Sequence, residues 1–143
     1  MIDFEVLGDP KALKRHRMGR GFNYDPSAGD KATFAQIAQV KAPTVPLNVA
    51  LFVQITFYFA RPKHHYGTGK NSNKLKPNVG NYHTSKPDID NLEKFVFDAL
   101  TGIFWKDDSY ISHVMSAKVY TEGTPKTVVY IKEAELPPRH DKT

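Results

Sequence analysis

Residues 86–100 read KPDIDNLEKFVFDAL, and residues 105–108 read WKDD. In the first segment two acids, Asp88 and Asp90, flank a single isoleucine where a helix begins, and a second acid pair closes the other segment. Carboxylates held this close together repel one another and raise each other's pKa. Because a cation among them would offset that repulsion, the pattern predicts a metal site at the start of a helix.

The start of this helix is predicted at Asp90. Pro87 disfavours helical dihedral angles at Lys86, so the chain enters extended, and side chains two apart in an extended segment point the same way. Asp88 and Asp90 can therefore face one spot. The sequence Asp90-x-x-Glu93 is typical of a capping box. The apolar residues at helical spacing form the predicted core stripe, which comprises Ile89, Leu92, Phe95, Val96, Ala99 and Leu100.

The predicted ligands supply oxygen atoms alone, and such ligands suit hard ions such as Mg²⁺, for which Mn²⁺ can substitute. Mg²⁺ typically takes one or two carboxylates and leaves its other positions to water and phosphate. A helix from Asp90 to Leu100 rises about 15 Å, and the chain at 101–108 can span roughly 26 Å. With Gly102 as the helix stop, the second acid pair can therefore return to the first.

A structural alternative exists for each acid taken alone. Asp88 or Asp90 can serve as the N-cap of the helix. Lys94, one turn after Asp90 on the same face, can be a surface ion-pair partner. One acid is sufficient for capping. A second acid two residues away, together with the pair at 107–108, exceeds that requirement and favours the metal site.

Three segments combine into a specific pattern, namely KPDxDNLxK at 86–94, DAL at 98–100 and WxDD at 105–108. This pattern closely resembles the RusA family of Holliday-junction resolvases, which are crossover-junction endodeoxyribonucleases. The resemblance is strong over residues 86–111. That family often has a basic residue directly before the first acid, whereas here Pro87 occupies that place and Lys86 lies one residue earlier.

The resemblance implies a role for each acid. In the family the two acids of the first pair and the second acid of the later pair are essential, and the lysine assists. Carried over to this sequence, the implied catalytic residues are Asp88, Asp90, Asp108 and Lys94. The same three aspartates are the implied metal ligands, and Asp107 is the neighbouring acid that would join them.

The resemblance further implies Mg²⁺-dependent hydrolysis of DNA phosphodiesters at four-way junctions, by paired symmetric nicks, in DNA recombination and repair. Two symmetric nicks need two equivalent active sites, so we expect a homodimer with twofold symmetry, for which the strand at 47–60 is the expected interface. Two alternatives stay open. One is a non-catalytic nucleic-acid-binding protein whose acids are caps and salt-bridge partners. The other is a metal-dependent nuclease that cuts flaps or single strands.

The basic residues are concentrated in two windows that contain no acid. Lys plus Arg number 20 against 15 acids, which gives a net charge of +5. No acid occurs between Lys11 and Tyr24, or between Arg61 and Pro87. Such windows suit a polyanion such as DNA, although a flexible, solvated arm is an alternative for the first one. The predicted DNA-binding residues are Lys11, Lys14, Arg15, Arg17, Arg20, Arg61, Lys63, Lys70, Lys74, Lys76 and Lys86.

The spacing of apolar residues predicts an α+β fold, with a small mixed β-sheet and two main helices packed on one side. The expected strands are 1–7, 47–60, 110–120 and 127–132, and the expected helices are 25–40 and 90–100. Along the longest strand, alternate residues are expected to face the core, namely Leu51, Val53, Ile55, Phe57 and Phe59.

Residues 1–135 are predicted to form one domain, with 136–143 as a flexible tail. Residues 61–85 are predicted to be a mobile loop that orders on DNA. The sequence contains no cysteine, which excludes disulfides and zinc–thiolate sites and fits a reducing cytoplasm. The N-terminus has no apolar signal region, and the best apolar run, 49–60, is too short to span a membrane. We therefore expect a cytoplasmic protein without a membrane partner.

Overall fold

The computed structural model describes residues 1–19 and 21–136. Its strands are β1 (Ile2–Leu7), β2 (Arg17–Gly19), β3 (Phe22–Tyr24), β4 (Leu51–Ala60), β5 (Ile111–Thr121) and β6 (Lys126–Glu133), and its helices are α1 (Ala28–Ala38) and α2 (Ile89–Leu100). Short 3-10 turns occupy Gln39–Lys41, Lys63–His65, Gly69–Asn71 and Asp108–Tyr110. The tail predicted at 136–143 lies, apart from Leu136, outside the described residues.

Four strands form one mixed sheet in the order β1-β6-β4-β5. β6 pairs antiparallel with both β1 and β4, whereas β5 pairs parallel with β4. Parallel neighbours need a crossover connection, and the chain between β4 and β5 crosses over through α2. The predicted α+β class, a mixed sheet with two helices, is therefore confirmed.

The core lies between one face of this sheet and the two helices. The predicted core residues of β4, Leu51, Val53, Ile55 and Phe57, are all fully buried, whereas Phe59 is partly buried. The fully or almost fully buried residues of α2 are Leu92, Phe95, Val96 and Leu100. α1 joins them through Phe34, whose ring meets the ring of Phe95 edge-on with centroids 5.8 Å apart. Both helices therefore share one core with the sheet.

A tight turn follows α2 and buries the tryptophan. Gly102 adopts a φ of 87° just beyond the last helical residue, Leu100, as expected for a helix stop. Phe104 and Trp105 are then fully buried. The indole N–H of Trp105 donates a hydrogen bond of 2.9 Å to Thr101 Oγ1, so its polar atom is satisfied inside the core.

The start of α2 differs from the prediction in its cap. Asp88 is the N-cap residue, with extended dihedral angles (φ −71°, ψ 147°), and the helix begins at Ile89. The predicted capping box at Asp90 and Glu93 is wrong, because the Glu93 carboxylate accepts a hydrogen bond of 2.6 Å from Ser116 Oγ on β5. That bond ties the first turns of the helix to the sheet.

A short hairpin forms in the first basic window, for which a flexible, solvated arm was the alternative. Within it, Arg17 of β2 pairs with Tyr24 of β3, and Gly19 pairs with Phe22. Gly21 lies at the turn with a φ of 78°, in the left-handed region that glycine adopts readily. Residues 17–19 and 22–24 therefore form paired strands and not a flexible arm.

Parts of the 61–85 segment contact β5, among them the ring of His65, whose centroid lies 4.8 Å from that of Tyr120. The prediction that the segment is mobile and orders on DNA stays a prediction. Tyr66 and Leu75 form an antiparallel bridge within this segment. Near its end, the His83 N–H donates a hydrogen bond of 3.0 Å to the carbonyl of Lys118 on β5. The segment therefore covers part of the outer edge of β5.

The Thr101 hydroxyl is expected to stabilise the fold because it accepts the buried indole N–H. Thr101→Val keeps the side-chain shape but removes the acceptor, which should lower the free energy of unfolding by about 1–3 kcal/mol. Thr101→Ser keeps the hydroxyl and serves as the control. Urea unfolding followed by the fluorescence of Trp105, the one tryptophan in the sequence, measures both variants. Equal midpoints for Thr101→Val and the wild type would contradict this role.

Candidate functional site

The start of α2 presents two acids to solvent. Asp88 and Asp90 are both exposed, and the side chain of Asp88 makes no capping hydrogen bond to the helix. Negative charge at this position is favoured by the positive end of the helix dipole. Lys94 Nζ lies 4.0 Å from Asp90 Oδ2, and both side chains are more than half exposed, so this pair is a weak surface contact.

Lys118 of β5 fixes the segment that leads into these acids. Its Nζ donates hydrogen bonds of 2.7 Å to Ser85 O and 2.6 Å to Pro87 O. This lysine was not predicted from the sequence, because nothing in the linear order connects it with Pro87. The available signal was a lysine in a strand that has no other Lys, Arg, Asp or Glu.

The two acids line different depressions beside the start of α2. Asp88 lines one together with Ser116 and Lys118 of β5. Asp90 lines another together with Lys94 and with Leu13, Lys14 and Arg15. These three residues belong to the basic segment, residues 11–16, which precedes β2. Both depressions are open and lie at the same helix start, and the expectation that the two carboxylates face one spot stays a prediction.

His83 is held in an aromatic cluster next to the first depression. Its ring stacks on Phe59 with centroids 4.0 Å apart, and it meets the ring of Tyr120 at 5.2 Å. Burial, followed by the positive charge of Lys118, lowers the pKa of His83 and so favours the neutral ring. A neutral ring packed in this way supports the 61–85 segment and does not provide a charge for phosphate.

Asp107 and Asp108 occupy the short turn that begins β5. Asp107 Oδ1 accepts a hydrogen bond of 2.9 Å from the Ser109 N–H and caps this turn. The hydrogen bonds from Ser109 lower the pKa of Asp107. Burial raises the pKa of Asp108, and the contact with Asp107 and the charge of Asp98 raise it further. Asp107 is therefore a structural cap, whereas the surroundings of Asp108 disfavour its negative charge.

Asp108 lies at the opposite end of α2 from the first acid pair. Ser116 of β5 contacts Glu93 near the start of the helix. Asp108 comes before the first residue of β5, and the charge of Asp98, near the end of the helix, contributes to its raised pKa. Asp98 follows Asp90 by eight residues, which is about 12 Å along a helix. Within residues 1–19 and 21–136, no three His, Cys, Asp or Glu side chains are grouped so that they could hold a metal ion. The structure thus does not bring the three predicted aspartates together.

The first acid pair still offers a cation the donor atoms that Mg²⁺ prefers. Asp88 and Asp90 expose carboxylate oxygens at the helix start. Mg²⁺ needs one or two such carboxylates and takes its remaining ligands from water and phosphate. These two residues therefore fit an ion held jointly by the protein and a DNA phosphate. They do not form a preformed three-aspartate cage with Asp108 in one chain.

Polar contacts anchor the basic segment to both helices. The Leu13 N–H donates a hydrogen bond of 2.9 Å to Asn91 O in the first turn of α2. The Lys14 N–H donates a hydrogen bond of 2.9 Å to Ser27 Oγ, at the N-cap of α1. The backbone of this segment is thus held between the two helix starts.

An ion-pair network continues from the buried Ser27 to α2. The Ser27 N–H donates to Asp25 Oδ1 at 2.9 Å, and Lys31 Nζ lies 2.6 Å from Asp25 and 3.6 Å from Asp98. The hydrogen bond from Lys31 lowers the pKa of Asp25, and the same bond raises the pKa of Lys31. This network joins α1 to α2 beside the basic segment.

One predicted DNA-binding residue is engaged in protein contacts. Arg61 donates hydrogen bonds of 2.8 Å to Gly80 O and 3.0 Å to Asn81 Oδ1, and its guanidinium lies 5.4 Å from the ring centroid of Tyr120. Arg61 therefore holds the 61–85 segment on β5, and its role in DNA binding stays a prediction. The other described basic residues of the prediction are exposed, namely Lys11, Lys14, Arg15, Arg17, Lys63, Lys70, Lys74, Lys76 and Lys86. Arg20 lies outside the described residues.

The fold and the site together suit a protein that acts on nucleic acid. The helix α2, packed on a mixed sheet, exposes two acids at its start next to a basic segment, and this arrangement suits chemistry on nucleic-acid phosphates. The model of the endodeoxyribonuclease RusA family matches residues 7–132 of this chain. The chain therefore belongs to the RusA endodeoxyribonuclease family, whose members act on branched DNA junctions, as the resemblance predicted.

A curated relative covers almost the whole chain. The uncharacterized protein YqaN of Bacillus subtilis (strain 168) is 30% identical over 138 residues, which is 92% of this chain and 96% of YqaN. Across the described ranges, none of the helices has the length and apolar character that crossing a membrane requires.

Asp25 is expected to stabilise the fold at neutral pH. Its pKa is lowered in the folded state, so its contribution is present above the unfolded-state pKa of about 3.9 and is lost as the pH falls through the folded-state value. Asp25→Asn should therefore lower the melting temperature at pH 7, and the difference from the wild type should shrink under strongly acidic conditions. Thermal melts across this pH range measure the effect. Asp9→Asn, at an exposed acid outside the network, is the control, and a difference that does not change with pH would contradict the charge explanation.

Proposed function

We propose that this protein is a Mg²⁺-dependent endonuclease that resolves four-way DNA junctions by paired symmetric nicks, in DNA recombination and repair. The observation that carries this proposal is the exposed pair Asp88 and Asp90 at the start of α2, next to Lys94 and a basic segment. Membership of an endodeoxyribonuclease family supports the nuclease activity and the branched substrate. The metal ion, the paired nicks and the pathway are the steps that the proposal adds.

Asp88 and Asp90 would hold the metal ion through their carboxylate oxygens. When bound, Mg²⁺ polarises the phosphoryl oxygen, activates water and offsets the charge that develops on the leaving oxygen. Both side chains are exposed, so they are accessible to a phosphate on the DNA backbone. Mn²⁺ shares the preference for oxygen ligands and would substitute.

Lys94 would neutralise phosphate charge or orient the attacking water. Its Nζ is 4.0 Å from Asp90 Oδ2, and its side chain is 61% exposed. A surface ion pair of this kind contributes little stability. Lys94 can therefore move from Asp90 to a phosphate oxygen at a small cost, close to the place where the first acid pair would bind the ion.

Asp108 would contribute as a third acid, with Asp107 as its neighbour, as the family resemblance implies. Among the described residues Asp108 is not grouped with Asp88 and Asp90, so we propose that it does not share within one chain the ion that they would hold. We therefore separate its role from theirs. Asp107 would act on Asp108 mainly by capping the turn that carries it.

Two symmetric nicks require two equivalent sites, so the proposal includes a homodimer with twofold symmetry. The expected interface was the strand at 47–60. Both edges of β4 are already paired, with β5 on one side and β6 on the other. An interface on this strand would therefore use its outer face, where Phe52 and Tyr58 are half-buried.

Asp90→Asn is expected to abolish cleavage while it preserves DNA binding. The substitution removes a carboxylate ligand, so Mg²⁺-dependent nicking of a synthetic four-way junction should fall by about 10²-fold or more. Binding should persist or tighten, because one source of repulsion with phosphate is lost. Gel analysis of junction cleavage with and without Mg²⁺ measures the first effect, and a gel-shift titration in EDTA measures the second.

The same assay separates the proposal from its rivals. Asp3→Asn, at an exposed acid on β1, is the matched control and should cut like the wild type. Binding without nicking in every form would indicate a non-catalytic DNA-binding protein. Cleavage of branched DNA without symmetric paired nicks would indicate a flap or single-strand nuclease.

Asp108→Asn tests the acid at the other end of α2. We expect this substitution to lower the junction cleavage rate by about tenfold or more while junction binding in EDTA stays close to that of the wild type. The thermal melt of the variant shows whether the fold is intact. Full cleavage by a folded Asp108→Asn variant would remove Asp108 from the reaction and leave the role of Asp88 and Asp90 standing.

A further inference from the structure

A cleft separates the acidic start of α2 from the basic segment that precedes β2. It measures about 440 Å³, and its lining comprises Leu13, Lys14, Arg15, Asp90, Asn91 and Lys94. Lys14, Arg15 and Lys94 carry positive charge, and Asp90 carries negative charge, so the cleft is cationic as a whole. Such a cleft attracts an anion to the place where the acid pair begins.

The basic side of the cleft is held in place by its backbone. The hydrogen bonds Leu13 N–H to Asn91 O and Lys14 N–H to Ser27 Oγ fix two successive residues, each at 2.9 Å. Ser27 is itself almost fully buried, with 1% of its surface exposed. These contacts use main-chain groups of the segment, so they set its position without using the charges of its side chains.

The charged side chains of the segment remain available to a ligand. Lys14 and Arg15 are exposed, and in the described part of the chain neither forms an ion pair with an acid. A guanidinium binds two oxygens of one phosphate at once, and an ammonium adds a point charge. The two side chains together therefore provide a phosphate-binding pair at the rim of the cleft.

A polymeric anion fits this surface better than a single small one. Positive charge continues beyond the cleft on Lys11, in the same segment, and on Arg17, the first residue of β2, and both are exposed. No acid lies between Lys11 and Tyr24. A DNA strand that places one phosphate in the cleft would therefore meet further cations on either side. These cations favour the binding of a chain of phosphates over the binding of a single phosphate.

We propose that Lys14 and Arg15 bind the DNA phosphate that lies next to Asp90, and that they thereby hold the strand at the acidic start of α2. They are part of the cleft where the strand is cut and are not distant clamps. That the strand is cut here rests on the proposed function, whereas the position of one phosphate beside both Arg15 and Asp90 does not.

A binding experiment without metal tests the shared phosphate directly. The dissociation constant for a synthetic four-way DNA junction is measured in EDTA for the wild type, Arg15→Gln, Asp90→Asn and the double variant. Asp90 repels the phosphate that Arg15 holds, so Asp90→Asn should tighten binding in the wild type. This gain should be at least about threefold smaller in the Arg15→Gln background, because the phosphate is no longer held beside residue 90. The same cycle with Lys14→Gln should show the same coupling.

Lys41→Gln is the matched control for the loss of one exposed positive charge. Lys41 lies in the turn Gln39–Lys41, outside the cleft and outside the predicted DNA-binding set. Its effect on binding and that of Asp90→Asn should combine without coupling, within about twofold. Arg15→Lys should restore part of the coupling. Additive behaviour of both Arg15→Gln and Lys14→Gln with Asp90→Asn, in variants whose melts show a normal fold, would overturn the inference.

Single-turnover cleavage at saturating protein tests the position of the strand. Arg15→Gln should slow cleavage by about tenfold or more even when all the junction is bound, because a misplaced phosphate reacts slowly. Lys41→Gln, at an exposed lysine outside the cleft, should leave this rate unchanged. A wild type that does not cut would refute the proposed function, while the metal-free cycle still decides whether the cleft binds a phosphate. Normal single-turnover rates in Arg15→Gln and Lys14→Gln would refute the placement of the cut strand and leave the proposed function intact.

Discussion

Burial of one apolar stripe on α2 is the constraint on which the rest of the structure depends. Leu92, Phe95 and Leu100 are buried against the sheet and α1, so this face of the helix cannot turn outward without exposing the core. With that face fixed, the polar residues of the first turn must lie at the surface. The exposure of Asp88 and Asp90 is thus a consequence of how the core is packed.

The elements with clear periodicity were predictable from the sequence, and their ends were less so. The alternating burial of β4 and the apolar stripe of α2 were both predictable, because each element carries its apolar residues on the one face that packs against the core. The cap of α2 was mispredicted because the partner of Glu93 is Ser116, which lies 23 residues later in the chain. A local pattern such as a capping box competes with tertiary contacts of this kind, and the sequence does not show them.

The placement of the acids was predictable only in part, for a related reason. Chain length sets an upper limit on the separation of Asp108 from the first acid pair, and it sets no lower limit. The path of the chain from α2 to Asp108 is set by the turn after α2. In this turn the Gly102 N–H donates to Trp105 O at 2.7 Å, and Trp105 pairs with Leu47. This turn leads the chain into β5 at the far end of the helix. Motif recognition identified the family, and the packing of Trp105 decided the geometry.

The basic segment shows how a stretch with little regular structure acquires a fixed position. It has no periodic apolar pattern, which left a flexible arm open as an alternative, yet Asn91 and Ser27 hold its backbone. Asp25 accepts a hydrogen bond from the Ser27 N–H, and Lys31 connects Asp25 to Asp98 of α2 through two ion pairs. A segment that is ordered before it binds loses less conformational entropy on contact with DNA than a flexible one. The same positive charges can therefore both attract the DNA strand and set its position relative to the acids at the start of α2. Their distance from those acids is already set before the strand binds.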